Sequence, residues 1–343
     1  MGRMRFVCVG ELLLRLTAPR RELLLQSAAL DVWCGGAEAN VAVSLVCFGH
    51  EAAVVSAVPD GPLGEACTGE LRRHRVDTTH VLARPGRMGL YFLTPGAGLR
   101  PSDVTYDRAD SAFARASAGD FDWTRILDGA DWLHVSGVTP ALGPRSTELA
   151  RVALSAARRQ GVRVSFDCNY RAKLWSAWDS DPVAILTELA GLADLLFADE
   201  RMLAMLLPDE KPVAAAQDPF AALAAAAFTR FKNLERIATG TRVEHDVDRH
   251  LLGGRCADRG ADRGGIVDAE PRAIAGIVDR IGSGDAFAAG LLHAMAEGRD
   301  ARDALAFAVA ASCLKHSIPG DANLATAADV DALVAGQGFA VRR

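Results

Sequence analysis

Beyond residue 130 the chain settles into one repeating pattern, a short apolar run followed by a longer stretch with helical spacing. Trp132 to Ser136, Val162 to Asp167 and Leu195 to Ala198 read as strands, and Arg145 to Arg159 and Val183 to Ala190 as the helices between them. This alternation constrains the fold more than any other feature. Parallel neighbours must be joined by a crossover, and the crossover helices then cover both faces of the sheet. The same logic extends to the N-terminal part. Arg5 to Val9 reads as a buried first strand ending in Gly10-Glu11, Ala52 to Val58 as the next strand, and residues 37–49 and Leu63 to His74 as helices. Val81-Leu82, Met88 to Leu93 and Val104 to Asp107 read as further strands, the last two more exposed. Asp285 to Glu297 and Ala301 to Leu314 are two strong helices near the C-terminus. The fold class expected is α/β, a mostly parallel sheet between helical layers.

With 343 residues, half of them hydrophobic, the chain can bury one large core, so a single domain over 1–343 is expected. The net charge of −5 gives no sign of the basic face that nucleic-acid binding needs. No apolar run approaches the roughly 18 residues that a membrane span requires. The seven cysteines, at 8, 34, 47, 67, 168, 256 and 313, form no C-x-x-C pair. Reduced thiols in a cytoplasmic protein, mostly small core residues, are the simplest reading. The stretch from Pro208 to Pro271 shows the least pattern. AAQDPFAALAAAAFTRF reads as helix and ERIATGTRVEH as a strand and turn. GGRCADRGADRGG, with ADRG twice, reads as an exposed loop.

The segment Val278 to Gly290, VDRIGSGDAFAAG, carries the chemistry. A glycine-rich turn, Gly282-Ser283-Gly284, opens a helix, and helix starts offer unpaired N–H groups and a positive dipole end. Glycines let those donors converge on an anion, here a phosphoryl group in transit. Asp285 beside that turn can take a proton from a hydroxyl; the plainer role for an acid at a helix start is an N-cap. A second turn, Gly35-Gly36-Ala37-Glu38-Ala39-Asn40, precedes an apolar helix. Either it is only a tight strand-to-helix connection, or its glycines admit a ligand to the backbone with Asn40 facing sugar hydroxyls. His134 reads as a core histidine or a pocket wall. No P-loop, dinucleotide fingerprint, nucleophile elbow or H-E-x-x-H sequence is present.

GGAEANVAVSL and DRIGSGDAFAAG, in that order and separation, resemble the two signatures of the PfkB-type (ribokinase-like) carbohydrate kinases. GLYFLTPGAGLRPSDVTYDRADSAF, WLHVSGVTPAL, VSFDCNYRAKLW and LKHSIPGDANL are similar to the 2-keto-3-deoxygluconate kinases of that family. The resemblance runs from about residue 5 to 338. It implies a ribokinase-like three-layer sandwich with a small β-sheet lid from about 12–34 and 88–108, and a homodimer formed through that lid. It implies ATP and Mg²⁺ as partners of a small acidic sugar. Asp285 would be the base and Gly282, Ser283 and Gly284 the anion hole. Gly36, Asn40, Tyr91, Tyr106 and Asp321 would meet the sugar, and Arg108 and Arg171 its carboxylate or the moving phosphate. Thr239-Gly240 would lie by the nucleotide phosphates, and Lys315, on the helix lining the adenine pocket, near the base. Two arginines favour an acid sugar, because a guanidinium grips a carboxylate through two parallel hydrogen bonds.

The chain departs from the family pattern in two places. Where relatives carry Asn-x-x-Glu to organise Mg²⁺, it has Asp199-Glu200-Arg201-Met202, and a thioether cannot orient a hydrated metal. Asp199 or Glu200 are the oxygen donors left nearby. Residues 241–270 lack an apolar strand beyond Leu251-Leu252, which implies weakened nucleotide binding. The rival readings are a kinase for a related sugar (2-keto-3-deoxygalactonate, fructose or ribose) and a non-catalytic sugar-binding regulator on the same scaffold.

Overall fold

The computed structural model describes residues 3–208, 216–260 and 265–337. Among the described residues thirteen strands form two sheets. In chain order they are β1 (Arg5–Val9), β2 (Leu13–Thr17), β3 (Asp31–Gly35), β4 (Glu51–Pro59), β5 (Val81–Arg84), β6 (Gly89–Thr94) and β7 (Asp103–Asp107). Then come β8 (Trp132–Ser136), β9 (Arg163–Asp167), β10 (Leu195–Phe197), β11 (Arg236–Asp246), β12 (Arg249–Asp258) and β13 (Ile266–Ala275). The large sheet has nine strands in the order β13-β12-β11-β10-β9-β8-β1-β4-β5, and the small one four, β3-β2-β6-β7. From β5 to β11 every neighbouring pair in the large sheet is parallel; β12 and β13 close its far edge antiparallel.

The alternation of strand side chains splits the core into two layers. Val7 and Val9 of β1 join Leu133, Val164 and Phe166 under the helices Pro144–Gln160, Pro182–Ala190 and Pro219–Arg230. Phe6 and Cys8 point the other way and join Trp132, Leu195 and Phe197 under the helices Ala37–Cys47, Ser283–Ala296 and Ala301–Lys315. Strands buried on both faces must be apolar throughout, which is why these runs were continuous in the sequence. His134 belongs to this interior: its Nδ1 lies 3.0 Å from Ser165 Oγ, and burial pushes its pKa down to about 4.

The small sheet covers the C-terminal edge of the parallel strands. Leu13, Tyr91 and Leu93 make its own apolar cluster, which packs on Ile281 of the glycine-rich turn. Among the described residues no helix is long and apolar enough to cross a membrane.

Two expectations are corrected. Residues 249–258 form a strand with its apolar side buried, built from residues too small to register as apolar: Gly253, Gly254, Cys256 and Ala257 are all buried. A Cβ added to Gly254 would sit 3.0 Å from Leu305 Cδ1, so the helix Ala301–Lys315 lies almost on the strand backbone. GGRCAD is therefore strand and not loop; the second ADRG, 261–264, lies outside the described residues. Nor are all seven thiols free. Cys34 on β3 and Cys67 in the helix Pro62–Arg73 are bonded, with Cα atoms 5.6 Å apart. A separation of 33 residues left no local sign of this pairing, which depends on the small sheet resting on that helix. Titration in denaturant without reductant should find five thiols, and Cys34→Ser/Cys67→Ser should lose about 3 kcal/mol of stability to urea. A count of seven before reduction would rule the bond out.

Candidate active site

The parallel strands all end on one edge, the position where open α/β sheets hold ligands. A cleft of about 510 Å³ lies there, under the small sheet. Its floor is the start of the helix Ser283–Ala296. Gly282 is the N-cap at φ 80°, and a Cβ on it would come within 1.8 Å of the Asp321 carbonyl oxygen, so no other residue fits. The first bond of the helix runs from the Ala286 N–H to the Gly282 carbonyl, 2.9 Å, leaving the N–H groups of Gly284 and Asp285 outside the helical pattern. Space above Gly284 is open.

Asp285 is the third residue of this helix and not its cap. Its Oδ2 accepts a 2.7 Å hydrogen bond from Asn40 Nδ2. Burial pushes its pKa up to about 7; the Asn40 donor opposes this, and the Asp167, Glu38 and Asp321 carboxylates add to it. Asn40 is held there because Gly36 turns β3 sharply into the helix Ala37–Cys47. Gly36 has φ 147°, and its Cβ position falls 2.3 Å from the Glu11 carbonyl oxygen. Glu38 in the same turn is fully engaged inside, accepting from Ser136 N–H, Ser136 Oγ and Thr139 Oγ1 at 2.8–2.9 Å.

The expected substrate residues come together. Gly36, Asn40, Tyr91, Tyr106, Arg108, Arg171, Gly282, Ser283, Gly284, Asp285 and Asp321 all line the one cleft. Tyr91 on β6 and Tyr106 on β7 stand side by side, ring centroids 6.4 Å apart. Arg108 spends its Nε on Glu11 Oε2 at 2.6 Å, which leaves its terminal nitrogens for a ligand. Arg171 lies exposed on the wall that the cleft shares with a second cavity of about 210 Å³.

That second cavity is lined by Thr239, Gly240, Asp167, Asn169, Asp199, Met202 and Gly284. A third, of about 240 Å³, adjoins it through Gly240, Gly284 and Phe287, and reaches Val309 and Ser312 on the helix Ala301–Lys315. Lys315 does not line any of these three spaces. It is fully buried, and its amino group donates to the Asp279 and Ile318 carbonyls at 3.3 and 2.9 Å. The side chain turns inward beneath the glycine turn, so Val309 and Ser312 carry that helix's wall instead.

Asp199 caps the helix Glu200–Leu206, accepting from Met202 N–H at 2.7 Å, and the Met202 side chain is buried. Glu200 sits 3.7 Å from Arg255, exposed. Among the described residues no three acids, histidines or cysteines converge as a metal cage. The pair Asp167 and Asp199 nevertheless suits Mg²⁺, which takes one or two carboxylates and fills its shell with water and phosphate oxygens. Burial pushes Asp167 up to about 6, with Glu38 and Asp199 acting in the same direction against the Asn169 N–H and Arg171.

Several residues of the site escaped the sequence reading. Arg15 on β2 is almost completely buried; its Nη2 bonds Asp279 Oδ2 at 2.6 Å and its Nη1 lies 3.0 Å from Asp321 Oδ1. Tyr91 Oη donates to the other Asp321 oxygen at 2.7 Å. Asp279 in turn accepts from the N–H groups of Ile281 and Gly320, both at 3.0 Å, and so shapes the glycine turn. Glu11 and Asp167 were legible only as acids at strand ends. Arg242 and Arg280 face the cleft beside Ser283. Arg15→Met should lower stability by about 3 kcal/mol, because two acids lose the guanidinium that pairs with both of their side chains. An unchanged urea midpoint would overturn this account of the turn.

Comparison with known proteins agrees with the geometry. The pfkB family carbohydrate kinase model matches residues 4–237 and 261–327. The 2-dehydro-3-deoxygalactonokinase of Haloferax volcanii is 32% identical over 330 residues, 96% of each chain. The 2-dehydro-3-deoxygluconokinase of Thermoproteus tenax is 29% identical, over 92% of this chain and 89% of its own. The crystal structure of the Thermotoga maritima 2-dehydro-3-deoxygluconokinase superposes with a TM-score of 0.88 at 37% identity, covering 97% of this chain and 100% of that one. The chain belongs to the pfkB family of carbohydrate kinases.

Proposed function

We propose that the protein transfers the γ-phosphoryl group of ATP to the terminal hydroxyl of 2-keto-3-deoxygluconate, giving the 6-phosphate. The observation that carries this reading is the carboxylate of Asp285, held by Asn40 at the foot of a cleft whose walls bear arginines. The hydroxyl gives its proton to Asp285 as its oxygen attacks phosphorus, and the electron pair of the broken P–O bond leaves with ADP. The N–H groups at Gly284 and Asp285 meet the charge on the phosphoryl oxygens. Arg108 and Arg171 receive the sugar carboxylate through paired hydrogen bonds. Thr239 and Gly240 border the nucleotide phosphates, with the adenine towards Ser312. Mg²⁺, held by Asp167 and Asp199, would neutralise phosphate charge.

The small sheet, from about 12–34 and 88–108, acts as the lid, with Tyr91 and Tyr106 excluding water from the reacting atoms. A second reading of the substrate, 2-keto-3-deoxygalactonate, has support in the similarity to the Haloferax enzyme named for it. ADP release with each of these acids, set beside ribose and fructose, separates the readings; turnover only with a neutral sugar would discard the role given to Arg108 and Arg171. Asp285→Asn should lower kcat by about 10²–10⁴-fold while remaining folded. In the native protein kcat/KM should fall as pH drops below about 7, where Asp285 takes up its proton, and level off above it. An Asn variant with most of its turnover would refute the mechanism.

The lid also pairs two copies in this proposal. Large apolar side chains stand exposed on it: Leu23, Leu25, Val32 and Leu99. Val32 lies on β3, an edge strand of the small sheet, where a second copy would cover it. Light scattering should give a dimer that Val32→Asp/Leu25→Asp converts to monomer; a monomeric native protein would overturn the assignment.

A further inference from the structure

Three residues line both the main cleft and the third cavity: Ser283, Gly284 and Arg242. The first two belong to the glycine turn. Arg242 comes from β11, and its guanidinium meets the turn at Ser283. β11 makes its parallel pairs with β10 only as far as Ala238, then continues as a hairpin with β12, where Arg242 stands opposite Leu252. The hairpin thereby carries Gly240, Arg242 and Glu244 along one face past the start of the helix Ser283–Ala296.

The guanidinium is fixed in place. Nη2 donates to Ser283 Oγ at 2.9 Å, and Nη1 lies 3.7 Å from Glu244 Oε1. Glu244 also faces Arg280 Nη1, at 3.3 Å. Two guanidinium groups thus share one carboxylate, and the pair keeps a net positive charge against the turn. Burial and Arg280 both disfavour the charge on Arg242, a cost that an anion between the cavities would offset.

We propose that Arg242 is a catalytic residue of the transfer, gripping the phosphoryl group as it passes from the nucleotide side of the glycine turn to the sugar side. The inference rests on the kinase reading above. While the bond from γ-phosphorus to the bridging oxygen breaks and that from the sugar oxygen forms, the peripheral phosphoryl oxygens keep their negative charge. A planar guanidinium can hold two of them at once, and Ser283 Oγ keeps it aimed. The backbone N–H groups of the turn meet the same charge from below.

The test compares wild type, Arg242→Gln, Ser283→Ala and Asp285→Asn. In Arg242→Gln, kcat should fall about 10²–10³-fold with the sugar KM within about threefold of wild type. Affinity for Mg·ADP with aluminium fluoride and sugar, a mimic of the group in flight, should fall in parallel. Affinity for Mg·ADP alone should stay within about threefold. A merely structural role would not separate those two affinities. Should Arg242→Gln fail to fold, Ser283→Ala, which removes only the tether, should lower both kcat and fluoride-complex affinity about tenfold. Turnover of Arg242→Gln near wild type, equal loss of both affinities, or an unaffected Ser283→Ala would each overturn the proposal. If Asp285→Asn still collapses in that case, the kinase reading stands alone. A folded wild type without turnover on any sugar would remove both.

Discussion

Arg15 is the contact through which the small sheet and the reacting end of the cleft become one object. Its guanidinium comes from β2 and lies almost wholly out of water, between Asp279, before the glycine turn, and Asp321, after the helix Ala301–Lys315. A cation so buried is tolerable only with its acids in place, and it is the charge that both acid side chains face directly. Asp279 then accepts the Ile281 and Gly320 N–H groups, and Asp321 takes the Tyr91 hydroxyl. The conformation of the turn, the seat of Tyr91 and the position of the small sheet all depend on the same charge. Nothing in this triad needs to touch a ligand for the site to depend on it.

The cleft places acids and arginines in opposition at short range. Burial makes Asp285, Asp167, Glu38 and Asp321 each harder to ionise; the charges of Asp167, Glu38 and Asp321 add to this at Asp285, those of Glu38 and Asp199 at Asp167, and that of Asp279 at Asp321. For the proposed general base this is useful: a carboxylate with its pKa near 7 is a far stronger proton acceptor than one near 4, and about half of it is still ionised at neutral pH. The same cleft is lined by Arg108, Arg171, Arg242 and Arg280, of which Arg108 is paired with Glu11 while Arg242 and Arg280 share Glu244. The field therefore favours negative charge above the turn and a proton acceptor below it, the polarity that phosphoryl transfer to a hydroxyl requires.

How far the sequence was legible follows from which physical signal each residue leaves. The parallel strands were read almost to the residue, Arg5–Val9 and Trp132–Ser136 without change, because burial on both faces leaves an unbroken apolar run. Gly282 was legible as a glycine turn because the Asp321 carbonyl oxygen lies where any Cβ would sit. β12 was missed because small residues can be as buried as leucine without looking apolar. Lys315 was misplaced because a helix position does not say whether a long side chain turns out to solvent or in to two carbonyls. Asp285 as a helix cap was an open alternative until its bond to Asn40, 245 residues away in sequence, was seen.

The sequence by itself determined the layered α/β architecture, the two glycine turns and the acid beside the second of them. These follow from local rules: strand and helix periodicity, and the steric freedom of glycine. Only the tertiary structure decided that Arg15 holds Asp279 and Asp321, that Cys34 meets Cys67, and that Arg242 bridges two cavities. Each of these joins groups far apart in the chain, and their partners are chosen by the fold's packing, for which no spacing in the sequence is a guide.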